Sequence, residues 1–138
     1  MAVSLPRLLF DPLIEPRVRL RLLCLILLIT LVAVMLYTGQ QPGMQAVLLH
    51  PPWDKLAHAV VYGGFAGLAW VASGARRGAL ALATVLAIGL TDEAVQYYTP
   101  GRTADVMDLL ADVMGGAVAL HVLARLRSWR VAPPILTG

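Results

Sequence analysis

Four long apolar runs separated by short polar or proline- and glycine-containing breaks dominate the chain. The first, residues 20–38, is interrupted only by Arg21, Cys24 and Thr30 before its polar end, and holds about fourteen strongly apolar residues at roughly −0.3 to −0.6 kcal/mol each. That is enough to insert unaided. A cleaved signal peptide is the alternative, but the run is long for one and no small-x-small site follows at Leu36-Tyr37-Thr38. The second run, 54–73, opens after Pro51-Pro52-Trp53, and the third, 79–98, is closed by Pro100-Gly101. The fourth, 105–124, begins where Thr103 or Asp105 can cap a helix, with Asp108 three residues further on in a box-like arrangement. Asp54 is the corresponding cap candidate for the second helix. The pattern predicts a single domain over residues 1–138: an all-α, integral membrane four-helix bundle.

Composition agrees. Of 138 residues, 59% are hydrophobic and 14% charged, too little polar surface to cover a soluble core. A pI near 9.5 invites a nucleic-acid reading. The basic residues instead fall in short clusters beside apolar runs, where membrane orientation explains them. One cysteine, Cys24, excludes an intramolecular disulfide and a cysteine-cluster metal site. Neither an internal repeat nor a low-complexity tract is evident.

Orientation follows from charge. Arg7, Arg17, Arg19, Arg21, Arg76, Arg77, Arg125, Arg127 and Arg130 flank one side of the predicted helices, and only Lys55 and Arg102 the other. The positive-inside rule then predicts both termini in the cytoplasm of a multi-pass inner-membrane protein. Tyr37, Trp53, Tyr97 and Tyr98 are expected at the outer interface, Trp70 and Trp129 at the inner one. The stretch broken by Pro6, Pro12 and Pro16 reads as irregular or surface-lying. The loop from Gly39 to His50 carries Val47, Leu48 and Leu49, which can dip into the outer interface.

Against this background the acids stand out. Asp54, Asp92, Glu93, Asp105, Asp108 and Asp112 share the outer side with Lys55, His58 and Arg102. An ionisable residue in the bilayer costs roughly 2.5–3.5 kcal/mol on insertion scales and marks a candidate site. At 1.5 Å per residue, His58, Glu93, Asp108 and Asp112 all lie roughly 18–24 Å from the cytoplasmic edge, inside a hydrocarbon core about 30 Å thick. Lys55, His58 and Tyr62 share one helix face, as do Asp105, Asp108 and Asp112. Asp92 and Glu93 point about 100° apart, so only one faces the cluster; Glu93 is the residue expected there. The third helix sets about seven strong apolar residues, roughly −2 to −4 kcal/mol, against two acids costing about 5–7, and is marginal without partners. Small residues (Gly63 and Gly67, Ala83 and Ala87, Ala111, Gly115 and Ala119) allow close helix approach.

The ordered set Asp54-Lys55-x-x-His58-x-x-x-Tyr62, Glu93-x-x-Gln96, Pro100-Gly101-Arg102, Asp105-x-x-Asp108, Asp112 and Gly115-Gly116 resembles the VanZ-like family of small bacterial membrane proteins. It spans the second to fourth helices. The chain departs from the family at Asp112, where asparagine is usual. The resemblance implies a role in the cell envelope and a link to resistance to the glycopeptide teicoplanin; it does not imply a particular reaction.

Three functions follow as expectations. One is an enzyme acting on an amphiphilic or lipid-linked envelope molecule, with His58, Glu93 and Asp108 in acid–base roles and Lys55, Tyr62, Gln96, Arg102 and Asp112 binding substrate. Asp54 and Asp105 are caps or site residues. Thr103 and Ser73 are the nearest nucleophiles by type. The second is a binding or shielding protein without chemistry. The third, ion or proton movement, is weaker because the cytoplasmic halves of the helices are nearly free of polar groups; His121 is the exception and reads as structural. His58, Glu93, Asp108 and Asp112 are the donor types a divalent metal takes, but HExxH-type spacing is absent, and neither a metal nor a cofactor is assigned. The expected partner is a membrane lipid or lipid-linked molecule, not nucleic acid.

Overall fold

A computed structural model describes residues 16–41 and 52–131, with side chains as far as Ser128. They form four helices: α1 (Pro16–Gly39), α2 (Trp53–Ala72), α3 (Gly78–Tyr98) and α4 (Val106–Val131). No strand occurs among the described residues. The fold is the expected all-α helical bundle. α1 starts four residues before its apolar run, since Pro16 is tolerated in a first helical turn. α4 continues past the expected end at 124 as an exposed basic extension through Arg125 and Arg127.

α2 is the central helix. It packs most extensively on α4 and also against α1 and α3. The core is Leu28, Tyr62, Phe65, Ala66, Ala69, Ala81 and Val85, four of them from α2. Outside this narrow core the helices present leucine, isoleucine and valine, including Leu23, Leu25, Leu27 and Ile29 on α1. An apolar outer surface around a small core suits lipid rather than water. α1, α3 and residues 106–128 of α4 are long and apolar enough to cross a membrane. α2, expected as a fourth span, is not among them. Asp54, Lys55 and His58 occupy its first two turns, and Gly63, Gly64 and Gly67 dilute the rest. Its 20 residues still reach about 30 Å.

Small residues set the tightest crossing. A methyl on Gly63 would lie 3.2 Å from the Gly115 carbonyl oxygen, and one on Gly115 only 2.6 Å from the Ala59 Cα. Ala83 and Ala87, also expected at close helix contacts, border a shallow apolar groove between α1 and α3.

The two ends of the bundle differ in charge. At one end the α2–α3 turn, with Gly74 at φ +88°, meets the basic ends of α1 and α4: Arg21 lies against Gly74, and Arg127 Nη1 donates to the Ala75 carbonyl. At the other end Lys55 meets the acids, and Tyr37, Trp53, Tyr97 and Tyr98 are well exposed. Trp70, near the opposite end of α2, is partly buried against the core. The expectations for Pro6 and Pro12, for Val47–Leu49, and for the Trp129 and Arg130 side chains lie outside the described residues.

Candidate functional site

A cavity of about 540 Å³ opens at the acidic end. α2 supplies one wall through Asp54, Lys55, His58, Val61 and Tyr62, whose three- and four-residue spacing keeps them on one face. Met35, Thr38 and Gly39 of α1, Asp92 and Gln96 of α3, the 101–105 turn and Asp108 of α4 complete it.

Lys55 ties the walls together. Its Nζ donates to Asp105 Oδ2 at 2.5 Å and to Asp108 Oδ1, and lies 3.4 Å from Asp54 Oδ2. A side chain able to snorkel to the surface thus holds α2 to the start of α4. Asp105 also caps α4, its Oδ1 accepting the Met107 amide at 2.8 Å. The Lys55 ammonium first, and the Met107 amide after it, hold the Asp105 carboxyl below its ordinary value.

Two capping expectations need correction. Asp108 turns to Lys55 and does not close a box on Asp105. The Asp105 amide donates instead to Glu93 Oε2 of α3 at 2.6 Å, so a neighbouring helix supplies the second half of the cap. Asp54 does not cap α2, whose N-cap is Pro52 with no side-chain bond. It faces Lys55 with Oδ2, while Oδ1 is buried without a hydrogen-bond partner among the described residues.

Deeper in, His58 Nδ1 pairs with Asp112 Oδ1 at 2.8 Å, and its Nε2 lies 3.9 Å from Asp108 Oδ2. The ring stacks on Tyr62 at 5.9 Å. Asp112 is completely buried, and its Oδ2 would be 2.9 Å from a methyl on Gly89. Glycine at 89 therefore makes room for the carboxylate. Sequence reasoning missed it; a glycine three residues before Asp92 in an apolar run was the available signal.

The acid that α3 turns into the cavity is Asp92, not Glu93. Asp92 accepts from Tyr62 Oη at 3.3 Å and from Gln96 Nε2 at 3.1 Å, and lines the cavity. Glu93 is absent from the lining and serves the α4 cap. The 100° separation lets only one of the two acids face the cavity, but spacing does not choose between them, since Gln96 lies four residues from Asp92 and three from Glu93. Tyr62 and Gln96, both buried, thus satisfy Asp92.

Arg102 lines the cavity, but the carboxylates expected to pair with it, Asp105 and Asp108, are taken by Lys55. Its Nη1 is buried without a hydrogen-bond partner among the described residues. Thr103 also lines the cavity. Ser73 does not: its hydroxyl donates to the Trp70 carbonyl at the other end. His121 is exposed and away from the cavity. No three His, Cys, Asp or Glu side chains among the described residues are placed to hold a metal ion, so His58, Glu93, Asp108 and Asp112 do not assemble as a ligand set.

The family described as VanZ/LLP1 matches residues 13–127. The chain belongs to this family. No curated protein and no solved structure matches it. As a VanZ/LLP1 member with three membrane-length apolar helices, it is a membrane protein. The residues behind the VanZ-like resemblance converge in space: Asp54, Lys55, His58, Tyr62, Gln96, Arg102, Asp105 and Asp108 all line one cavity. Glu93 and Asp112 support it from behind.

Proposed function

We propose that this VanZ/LLP1 protein binds the head group of an amphiphilic or lipid-linked envelope molecule in the cavity. In this reading the cavity faces outward from the bacterial inner membrane, with both termini in the cytoplasm. The observation that carries it is Arg102, a cavity-lining guanidinium with a buried nitrogen that has no partner among the described residues, in a charged cavity capping an apolar bundle. A guanidinium binds phosphate or carboxylate in a bidentate way, and Lys55 is already committed to three acids. A molecule anchored in the outer leaflet brings its head group to this depth while its tail stays among the exposed leucines. If that molecule is a cell-wall precursor or the drug, the link to teicoplanin resistance follows from sequestration.

Protein purified in mild detergent is expected to carry a bound amphiphile in native mass spectra. Arg102→Gln should lower the bound fraction about tenfold, the loss of a charge-assisted bidentate contact. An undiminished adduct would sink the reading. For the orientation, a periplasm-active reporter fused after Gly138 should be silent; strong activity would reverse it.

The His58–Asp112 pair favours a second reading, catalysis. A carboxylate on Nδ1 fixes the ring tautomer and leaves Nε2 as a base. The hydroxyls in the cavity wall (Thr38, Thr103 and Tyr62) have no adjacent base comparable to a catalytic triad, so water is the nucleophile and hydrolysis the reaction. The same spectra decide: a product mass that forms with wild type and not with His58→Gln supports chemistry, and an unaltered ligand supports binding alone. Ion movement is the weaker reading, because among the described residues Phe65, Ala66, Ala69, Ala81 and Val85 fill the core beyond the cavity.

A further inference from the structure

We infer that the head group recognised here is zwitterionic, a phosphate ester bearing a primary ammonium, as in phosphoethanolamine. The inference rests on the binding reading above and specifies its ligand.

The charge balance of the cavity points to it. Four carboxylates, Asp54, Asp92, Asp105 and Asp108, line the wall against two permanent cations, Lys55 and Arg102. Most are mutually satisfied: Lys55 holds Asp105 and Asp108, and Tyr62 with Gln96 holds Asp92. Among the described residues, two lining side chains keep a buried atom without a hydrogen-bond partner, Arg102 Nη1 and Asp54 Oδ1. A desolvated polar atom without a partner is a cost that a ligand group removes. One is a cationic donor and the other an anionic acceptor, so a complementary head group carries an anion and an N–H donor together. A purely anionic head group satisfies Arg102 but meets the surplus of carboxylates, and like charges facing each other select against it.

The donor is a primary ammonium and not a quaternary one. A primary ammonium offers three N–H bonds to a carboxylate. A quaternary ammonium offers none and is held by an aromatic cage. The cavity has no such cage: Tyr62 is its one phenyl-type ring among the described residues, and that ring is buried and stacked on His58.

The test titrates the full chain in mild detergent with phosphatidylethanolamine, phosphatidylglycerol and phosphatidylcholine of matched acyl chains, with native mass spectrometry reading bound fractions. Phosphatidylethanolamine is expected to bind at least tenfold tighter than either other lipid. Asp54→Asn should abolish the preference over phosphatidylglycerol, Asp54→Glu should keep it, and Arg102→Gln should weaken both lipids. Soluble glycerophosphoethanolamine distinguishes the source of the shared head group. Displacement at matched concentration supports the inference with a free ester as ligand, and displacement only at large excess supports it with a lipid. Equal binding of the three lipids, or a preference that survives Asp54→Asn, overturns the head-group inference and leaves the amphiphile cavity standing. Binding of none overturns both. Circular dichroism melting of each variant separates loss of ligand from loss of fold.

Discussion

Gly115→Ala will drive α2 and α4 apart and lower the melting temperature of the purified protein. The added methyl would lie 2.6 Å from the Ala59 Cα and equally near its carbonyl carbon. Both are backbone atoms of a helix, so no side-chain rotation relieves the clash and a whole helix must shift. Overpacking of this kind costs about 1–3 kcal/mol. The shift also reaches the cavity, because Lys55–Asp105, Lys55–Asp108 and His58–Asp112 all cross the same α2–α4 junction. Lipid retention should fall with stability. Gly64→Ala is the matched control: nothing lies within 4 Å of its methyl, and alanine in a helix interior gains about 0.5–1 kcal/mol over glycine. Melting curves that do not separate the two variants would refute the account of the crossing.

The second large effect belongs to His58. Asp112 has no exposed surface, and the His58 ring is the one hydrogen-bond partner its carboxylate has among the described residues. His58→Ala leaves that group buried and unpaired, a change that costs about 3–5 kcal/mol when a buried pair loses one member. Asp112→Asn behaves differently. An asparagine Oδ1 still accepts from the imidazole Nδ1–H, and the buried charge is gone, so stability should stay near wild type. Asparagine is also what the VanZ-like pattern usually carries there. The double variant His58→Ala/Asp112→Asn should recover part of the loss, since the two sites are coupled through one bond. Thermal melts of the four proteins form the cycle. A His58→Ala protein as stable as wild type would mean that the pair does not hold the bundle together.

Much of this architecture was legible from apolar run length and from proline and glycine punctuation. Bilayer thickness and hydrogen-bonding demand leave few alternatives for such runs, which is why four helices appear near their expected places. The polar face of α2 was equally legible, because three- and four-residue spacing maps directly onto a helix surface. Helix rotation was not. Whether Asp92 or Glu93 turns inward depends on how α3 seats Gly89 against Leu109 and Asp112, a tertiary contact with no local signature. Pairing of long side chains was hidden for a related reason. Lys55 and Arg102 both reach the acids at the head of α4, and only packing decides that Lys55 takes them. The failed cap at Asp54 has a different origin: the helix starts at Trp53, so Asp54 lies inside the first turn and not at the N-cap position.

The hydrogen bond from the Asp105 amide to Glu93 also bears on the order of assembly. A ribosome makes Tyr62 before Asp92 and Gln96 four residues after it, so that acid has one partner already made and the other close behind. Glu93 emerges twelve residues ahead of the amide it accepts from. Until the chain has extended to Asp105, one carboxylate of α3 has no counterpart, and α3 is poorly suited to leave the insertion machinery alone. The α3–α4 hairpin is therefore the natural unit of membrane entry, and the polar cavity is completed only in its last step.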